Sequence, residues 1–190
     1  MIHHFQPTRY HNTLGAHEPV LHVADGDTVI TTTLDAHGAD QYGNLIGEQP
    51  NPQTGPFYID DAEPGDALLV RFDHLAPNRD TGFSYTPVAP NVVDPCFVSE
   101  LSARERQIWS IDRERWTVTL LDPSPRLGAF TLPLALMLGC FGVAPAGGQA
   151  IGATTAGEHG GNMDYRAFTA GSSVYLSVAV PGALFSVGDG

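Results

Sequence analysis

Apolar and polar positions alternate with a period of two in three stretches of the chain. In residues 172–180, Val174, Leu176, Val178 and Val180 fall on one face and Ser173, Tyr175, Ser177 and Ala179 on the other. Residues 67–74 repeat the pattern with Leu68, Val70 and Phe72, and residues 28–34 are β-branched and alternating. A period of two sets one face of a strand against a core. Residues 19–23, 57–59, 116–121 and 184–187 read as further short strands. Ala24-Asp-Gly-Asp27, Glu63-Pro-Gly-Asp66 and Asn51-Pro-Gln-Thr-Gly-Pro56 carry turn chemistry. Residues 35–51, 75–97 and 147–164 read as loops or irregular segments, and residues 128–143 mix short apolar runs with breakers. Ser102-Ala-Arg-Glu105 fits a capping box ahead of Arg106-Gln-Ile-Trp109, which predicts a helix over residues 102–109. The pattern predicts a mainly β fold, an antiparallel β-sandwich or open barrel with one short helix, in one domain over residues 1–190.

Composition supports that choice. With 21 glycines and 15 prolines among 190 residues, long helices have little uninterrupted chain in which to form. Charge narrows the chemistry. The formal net charge is −12, and all nine basic residues are Arg. That balance argues against a nucleic-acid partner. Without Lys, the chain alone has no amine for a Schiff base, a P-loop or a Ser-Lys pair. Cys96 and Cys140 form no C-x-x-C and suggest reduced thiols in a cytoplasmic protein. The longest apolar stretch, residues 131–143, is interrupted by Pro133, Gly139 and Gly142, so no membrane-crossing segment is expected.

Three clusters could carry chemistry. Asp35 and His37 stand two residues apart at the exit of a predicted strand, a plausible pair of ligands for a hard ion or zinc. Glu158, His159, Asn162 and Asp164 lie among glycines that allow a ligand close to the backbone. Val187-Gly-Asp189-Gly190 puts a carboxylate at the end of an apolar run. Each also reads as an ordinary polar loop or turn. Nucleotide-binding glycine motifs and a G-x-S-x-G elbow are absent from the sequence.

An ordered series of short segments resembles the acetamidase/formamidase family. It runs through Glu18-Pro-Val20, Gly26-Asp27-Thr-Val29, Thr33-Leu-Asp35-Ala36, Asn51-Pro-Gln-Thr-Gly-Pro56 and Ala62-Glu-Pro-Gly-Asp66. It continues with Asn91-Val-Val-Asp94-Pro95, Leu138-Gly-Cys-Phe-Gly-Val-Ala-Pro145, His159-Gly-Gly-Asn-Met-Asp164 and Val180-Pro-Gly-Ala-Leu184 leading to Gly188-Asp189. The resemblance implies hydrolysis of a small amide such as formamide or acetamide to a carboxylic acid and ammonia. It places Asp35 and the 159–164 loop in a metal-assisted site. On that basis Asp35, His37, His159 and Asp189 are expected to hold a divalent metal, zinc or calcium, with Glu158, Asn162 and Asp164 as catalytic groups. In the family the segment like Gly188-Asp189 runs on into a His-Ala-x-x-Gly-Asp-Gly-Glu stretch. The expectation is therefore a C-terminally truncated domain, working as a homo-oligomer or with a partner chain that carries the remaining region. The alternative is a non-catalytic β-sandwich, a metal-binding or interaction remnant of such an enzyme.

Overall fold

A computed structural model describes residues 1–189, the side chain of Asn91 excepted, so Gly190 of the third cluster lies outside the described residues. The chain divides into two compact units, Met1–Asn78 with Leu136–Gly190, and Arg79–Ala135. Among the described residues no helix is long and apolar enough to cross a membrane.

The first unit is built on a six-stranded sheet. Its order is Gly160–Asn162, Cys140–Gly142, Phe185–Gly188, Gln53–Ile59 and Tyr10–His11, and Leu21–Val23 pairs in parallel with Gln53–Ile59. The register sets Phe141 between Gly161 and Val187, and Cys140 between Asn162 and Gly188. Phe141 is 0% exposed. Its ring meets Phe168 at 4.8 Å, Phe72 at 4.9 Å and Phe185 at 6.4 Å between centroids. Val23, Phe57, Leu138, Leu176, Val178 and Val187 complete this core.

The alternating stretches form strands at Ala67–Arg71 and Ser173–Ser177 and pair with each other. Val70 faces Val174 and Leu68 faces Leu176, and all four join the core or pack on it. Thr28–Ile30 is shorter than its alternation suggests and pairs in parallel with Ile2–His4. Ala150–Gly152 pairs with Thr13–Gly15 inside the segment read as a glycine-rich loop.

The turn expected over residues 51–56 is corrected here, because Gln53–Ile59 is a strand. Proline and glycine are accommodated by an irregular register between Phe185 and Val187, where the ladder does not require a donor from Pro56. Gly55, at φ 127°, lies so close to its neighbour that a Cβ would come within 2.8 Å of the Phe185 carbonyl oxygen.

The second unit is a four-stranded antiparallel sheet in the order Thr131–Pro133, Thr117–Leu120, Arg106–Asp112, Thr81–Tyr85. The helix expected over residues 102–109 is instead the start of the strand Arg106–Asp112. A capping sequence offers one or two local hydrogen bonds, whereas this segment gains a strand partner on each side. The helical turns among the described residues are 3-10 turns at Pro90–Val92, Pro95–Glu100 and Ala146–Gly148.

Candidate active site

Three neighbouring strands of the first unit end together, and that shared boundary collects the acids. Gly139 precedes Cys140–Gly142, Asp164 follows Gly160–Asn162, and Asp189 follows Phe185–Gly188. The Gly139 N–H donates to the Asp189 carbonyl at 2.8 Å, and the Gly139 carbonyl accepts from the N–H of Met163 at 3.0 Å and of Asp164 at 3.1 Å. A Cβ at position 139 would stand 2.7 Å from Asp164 Oδ1 and 2.9 Å from Asp189 Oδ2. The missing side chain is therefore the space into which both carboxylates turn. Asp164 (φ 44°) and Asp189 (φ 51°) occupy the left-handed region, where non-glycine residues are uncommon and often belong to functional sites.

Asp35 adds a third carboxylate. It is 8% exposed. Its Oδ1 accepts from the backbone N–H of His37 at 2.9 Å and of Ala39 at 3.0 Å, an Asx turn that fixes the loop. Burial pushes the Asp189 carboxyl up to about 6, reinforced by Asp164 and then Asp35, while His37 acts in the opposite direction. Asp35, His37 and Asp164 thus lie within electrostatic reach of Asp189.

Amide groups support the acids. Asn51 Nδ2 donates to Asn162 Oδ1 at 2.8 Å, and Asn162 Nδ2 donates to Asp164 Oδ2 at 3.1 Å. Cys140 is buried, and its thiol donates to the Ala153 carbonyl at 3.0 Å. Burial, then Asp189 and Asp164, push that thiol up to about 12. It stays protonated at neutral pH and is no nucleophile.

Glu158 and His159 occupy a separate position. Reciprocal backbone hydrogen bonds between Gly157 and Gly160, at 2.9 and 3.0 Å, close a two-residue turn with Glu158 and His159 at its corners. Glu158 is exposed, whereas His159 is 7% exposed. The imidazole folds over glycines, since a Cβ at Gly157 or Gly161 would approach its ring to 3.1 or 3.2 Å. Its Nε2 is buried without a hydrogen-bond partner. Both residues line a cleft of about 370 Å³ with Val143, Ile151, Ser177 and Ala179. Among the described residues no three His, Cys, Asp or Glu side chains are arranged to hold one ion.

Sequence reasoning joins Asp35, His37, His159 and Asp189 with Glu158, Asn162 and Asp164 in one site; the structure sets Asp164 and Asp189 side by side at Gly139, with Asn162 bonded to Asp164. It misses Asn51, Gln53 and Gly139. The available signal was the run of amide side chains inside Asn51-Pro-Gln, passed over as turn residues.

The sequence model of the Acetamidase/Formamidase family matches residues 143–190. No curated protein sequence matches the chain. Among solved structures, an acetamidase from Bacillus halodurans superposes with a TM-score of 0.73 at 26% identity, covering 98% of this chain and 61% of that one. A predicted acetamidase/formamidase from Thermoanaerobacter tengcongensis gives 0.77 at 25% identity, over 100% of this chain and 60% of that one. An acetamidase from Yersinia enterocolitica gives 0.74 at 26% identity, with the same coverage. The chain therefore spans about three fifths of the length of these relatives. The matched segment contains Glu158 through Asp189, so this part of the chain is similar to the acetamidase/formamidase family, and the fold extends the likeness to the loop carrying Asp35.

Proposed function

We propose that this chain carries the hydrolytic site of an amidase that converts a small linear amide, formamide or acetamide, to ammonia and a carboxylic acid. The observation that carries the reading is the meeting of Asp164 and Asp189 at the open side of Gly139, with Asp35 and His37 within electrostatic reach of Asp189. A desolvated Asp189 carboxylate beside Asp164 ionises at a cost unless a positive charge stands near it, which is the chemistry of a site for a hard divalent cation. Among the described residues no three of these side chains are arranged around one ion, so Asp35, His37 and Asp189 would have to close around a zinc or calcium ion to hold it. When bound, it supplies Lewis acidity to the amide carbonyl. His159 is assigned to the neighbouring cleft.

The chain's own residues then divide the remaining work. Asp164, its Oδ2 held by the Asn162 amide, takes a proton from the attacking water through Oδ1. Water oxygen bonds to the carbonyl carbon, the C–N bond breaks, and Asp164 returns the proton to the departing nitrogen. The remaining N–H of the Asn162 amide would stabilise negative charge on the carbonyl oxygen as it develops.

The test is ammonia release from formamide and acetamide by the full chain, with added zinc or calcium and with chelator. Turnover that chelator abolishes and metal restores is the expected result. Turnover indifferent to chelator would remove the ion from the reading, and no turnover of either amide under any condition would remove the activity. In the same series, Asp35→Asn and His37→Ala should lose bound metal and His159→Ala should retain it. Metal loss in His159→Ala alone would overturn the ligand assignment.

A further inference from the structure

Asn51 is bonded on three sides. Its backbone N–H donates to the carbonyl of Ala36 at 2.9 Å, the peptide between Asp35 and His37. Its own carbonyl accepts from Gln53 Nε2 at 2.9 Å, within a fully buried side chain. Its Nδ2 donates to Asn162 Oδ1 at 2.8 Å and reaches the Ala153 carbonyl at 3.5 Å. The residue is 5% exposed and sits at φ 47°, a conformation that Asn tolerates better than most side chains. One residue therefore ties the loop of Asp35 and His37 to the strand of Asn162, across 111 positions of sequence.

The chemistry of the contacts fixes their direction. An ionised Asp164 only accepts hydrogen bonds, so the end of Asn162 that faces it must be the NH₂. The other end of Asn162 is then an acceptor and needs a donor, which Asn51 Nδ2 supplies. Replacing that donor by an acceptor would favour a turned amide, with the Asn162 oxygen against the Asp164 carboxylate. Asp164 Oδ2 would lose its hydrogen bond, and Oδ1, now facing the space beside Gly139, would no longer be held there.

We propose that Asn51 is a positioning residue of the hydrolytic site, acting through the orientation of the Asn162 amide on Asp164. This rests on the reading of the site as an amide hydrolase. Two variants separate orientation from simple support. Asn51→Gly keeps the left-handed backbone and its hydrogen bond to Ala36 but deletes the amide. Asn51→Asp keeps the shape and exchanges the donor for an acceptor. Both should lower kcat on formamide about 10- to 100-fold per folded molecule, the range found for groups that orient a reacting one. KM should stay within about twofold, because substrate binding is untouched. Asn51→Gly combined with Asn162→Ala should be no slower than Asn162→Ala alone, since the first acts through the second. An unchanged kcat per folded molecule in Asn51→Gly, or additive losses in the double variant, would overturn the proposal. A purely structural role would lower the thermal midpoint and leave kcat of the folded fraction intact.

A second measurement does not depend on turnover. The side-chain NH₂ resonances of Asn162, assigned by their loss in Asn162→Ala, should shift in both Asn51 variants. If the wild-type chain hydrolyses no amide, the functional reading fails, yet a shift of these resonances still supports orientation by Asn51. Unmoved resonances overturn that orientation whatever the activity. Should Asn51→Asp fail to fold, Asn51→Gly decides by both measurements.

Discussion

The two units differ most in what they bury. Every buried residue of known side chain lies in residues 1–78 or 136–189, whereas none lies in residues 79–135. The first unit packs Phe72, Phe168 and Phe185 around Phe141 and sets Asp164 and a desolvated Asp189 side by side at the ends of neighbouring strands. The second relies on contacts along a half-exposed sheet. Arg106 lies 4.0 Å over Phe83, Arg104 lies 3.8 Å over Tyr85, and Trp109 donates to Ser84 Oγ at 2.9 Å. Burial makes small changes costly and shifts titrating groups, and exposure does neither. The candidate chemistry accordingly sits where the core sits, and the second unit should tolerate substitutions that the first does not.

Truncating one central aromatic in each unit gives the widest contrast. Phe141→Ala should cost about 3–5 kcal/mol by denaturant unfolding, because a fully enclosed ring leaves a cavity. Trp109→Ala, only half-buried, should cost about 1 kcal/mol. Equal losses would mean that the second unit hides a core, and the comparison would fail.

Titration sharpens the contrast within the first unit. The folded-state carboxyl of Asp189 is raised to about 6 from an ordinary 3.8. Between those values the folded chain binds more protons than the unfolded one, so stability falls as pH rises and the full penalty is present above about 6. In the metal-free chain, Asp189→Asn should therefore be more stable than wild type at pH 7–8, on the order of 1–3 kcal/mol, and equal to it near pH 3.5. Added divalent cation should stabilise wild type and close the gap. Thermal unfolding at several pH values checks this, and a gap that persists unchanged at pH 3.5 would assign it to packing rather than charge.

The sequence makes part of this arrangement legible. Alternation locates the strands Ala67–Arg71 and Ser173–Ser177, because each buries one face and keeps the other wet. Asp35, Asp164 and Asp189 stand out as acids beside glycines or at strand exits. The errors arise where a distant partner outweighs local chemistry. A capping box over residues 102–105 lies next to a strand paired on both sides, and turn residues at Asn51–Pro56 enter a sheet through an irregular register. A two-residue turn, which local sequence does not announce, sets Glu158 and His159 in a cleft with Val143, Ile151, Ser177 and Ala179. The bond between Asn51 and Asn162 has no local signature, since it exists only once the sheet has closed.

Adding one methyl to a glycine tests the same difference at its smallest scale. At Gly139 a Cβ would meet both site carboxylates inside 3.0 Å, with the Asp189 carbonyl oxygen at 3.2 Å. Gly139→Ala should therefore cost about 1–3 kcal/mol and remove most turnover, because Asp164 and Asp189 must leave their shared space. Gly82 presents the opposite case. It pairs with Trp109 in the sheet of the second unit, and its Cβ would meet only Ile111 Cδ1, at 3.9 Å. That separation is ordinary van der Waals contact. Gly82 also has no positive φ, so alanine fits its backbone without strain. The main effect of Gly82→Ala is then on the unfolded chain, which has fewer conformations to lose on folding. The expected result is a gain of about 0.4–1 kcal/mol with turnover of formamide unchanged. A loss of stability at Gly82 would show that the second unit is packed as tightly around its strands as the first, and would undo the distinction between a buried, titrating unit and an exposed, tolerant one.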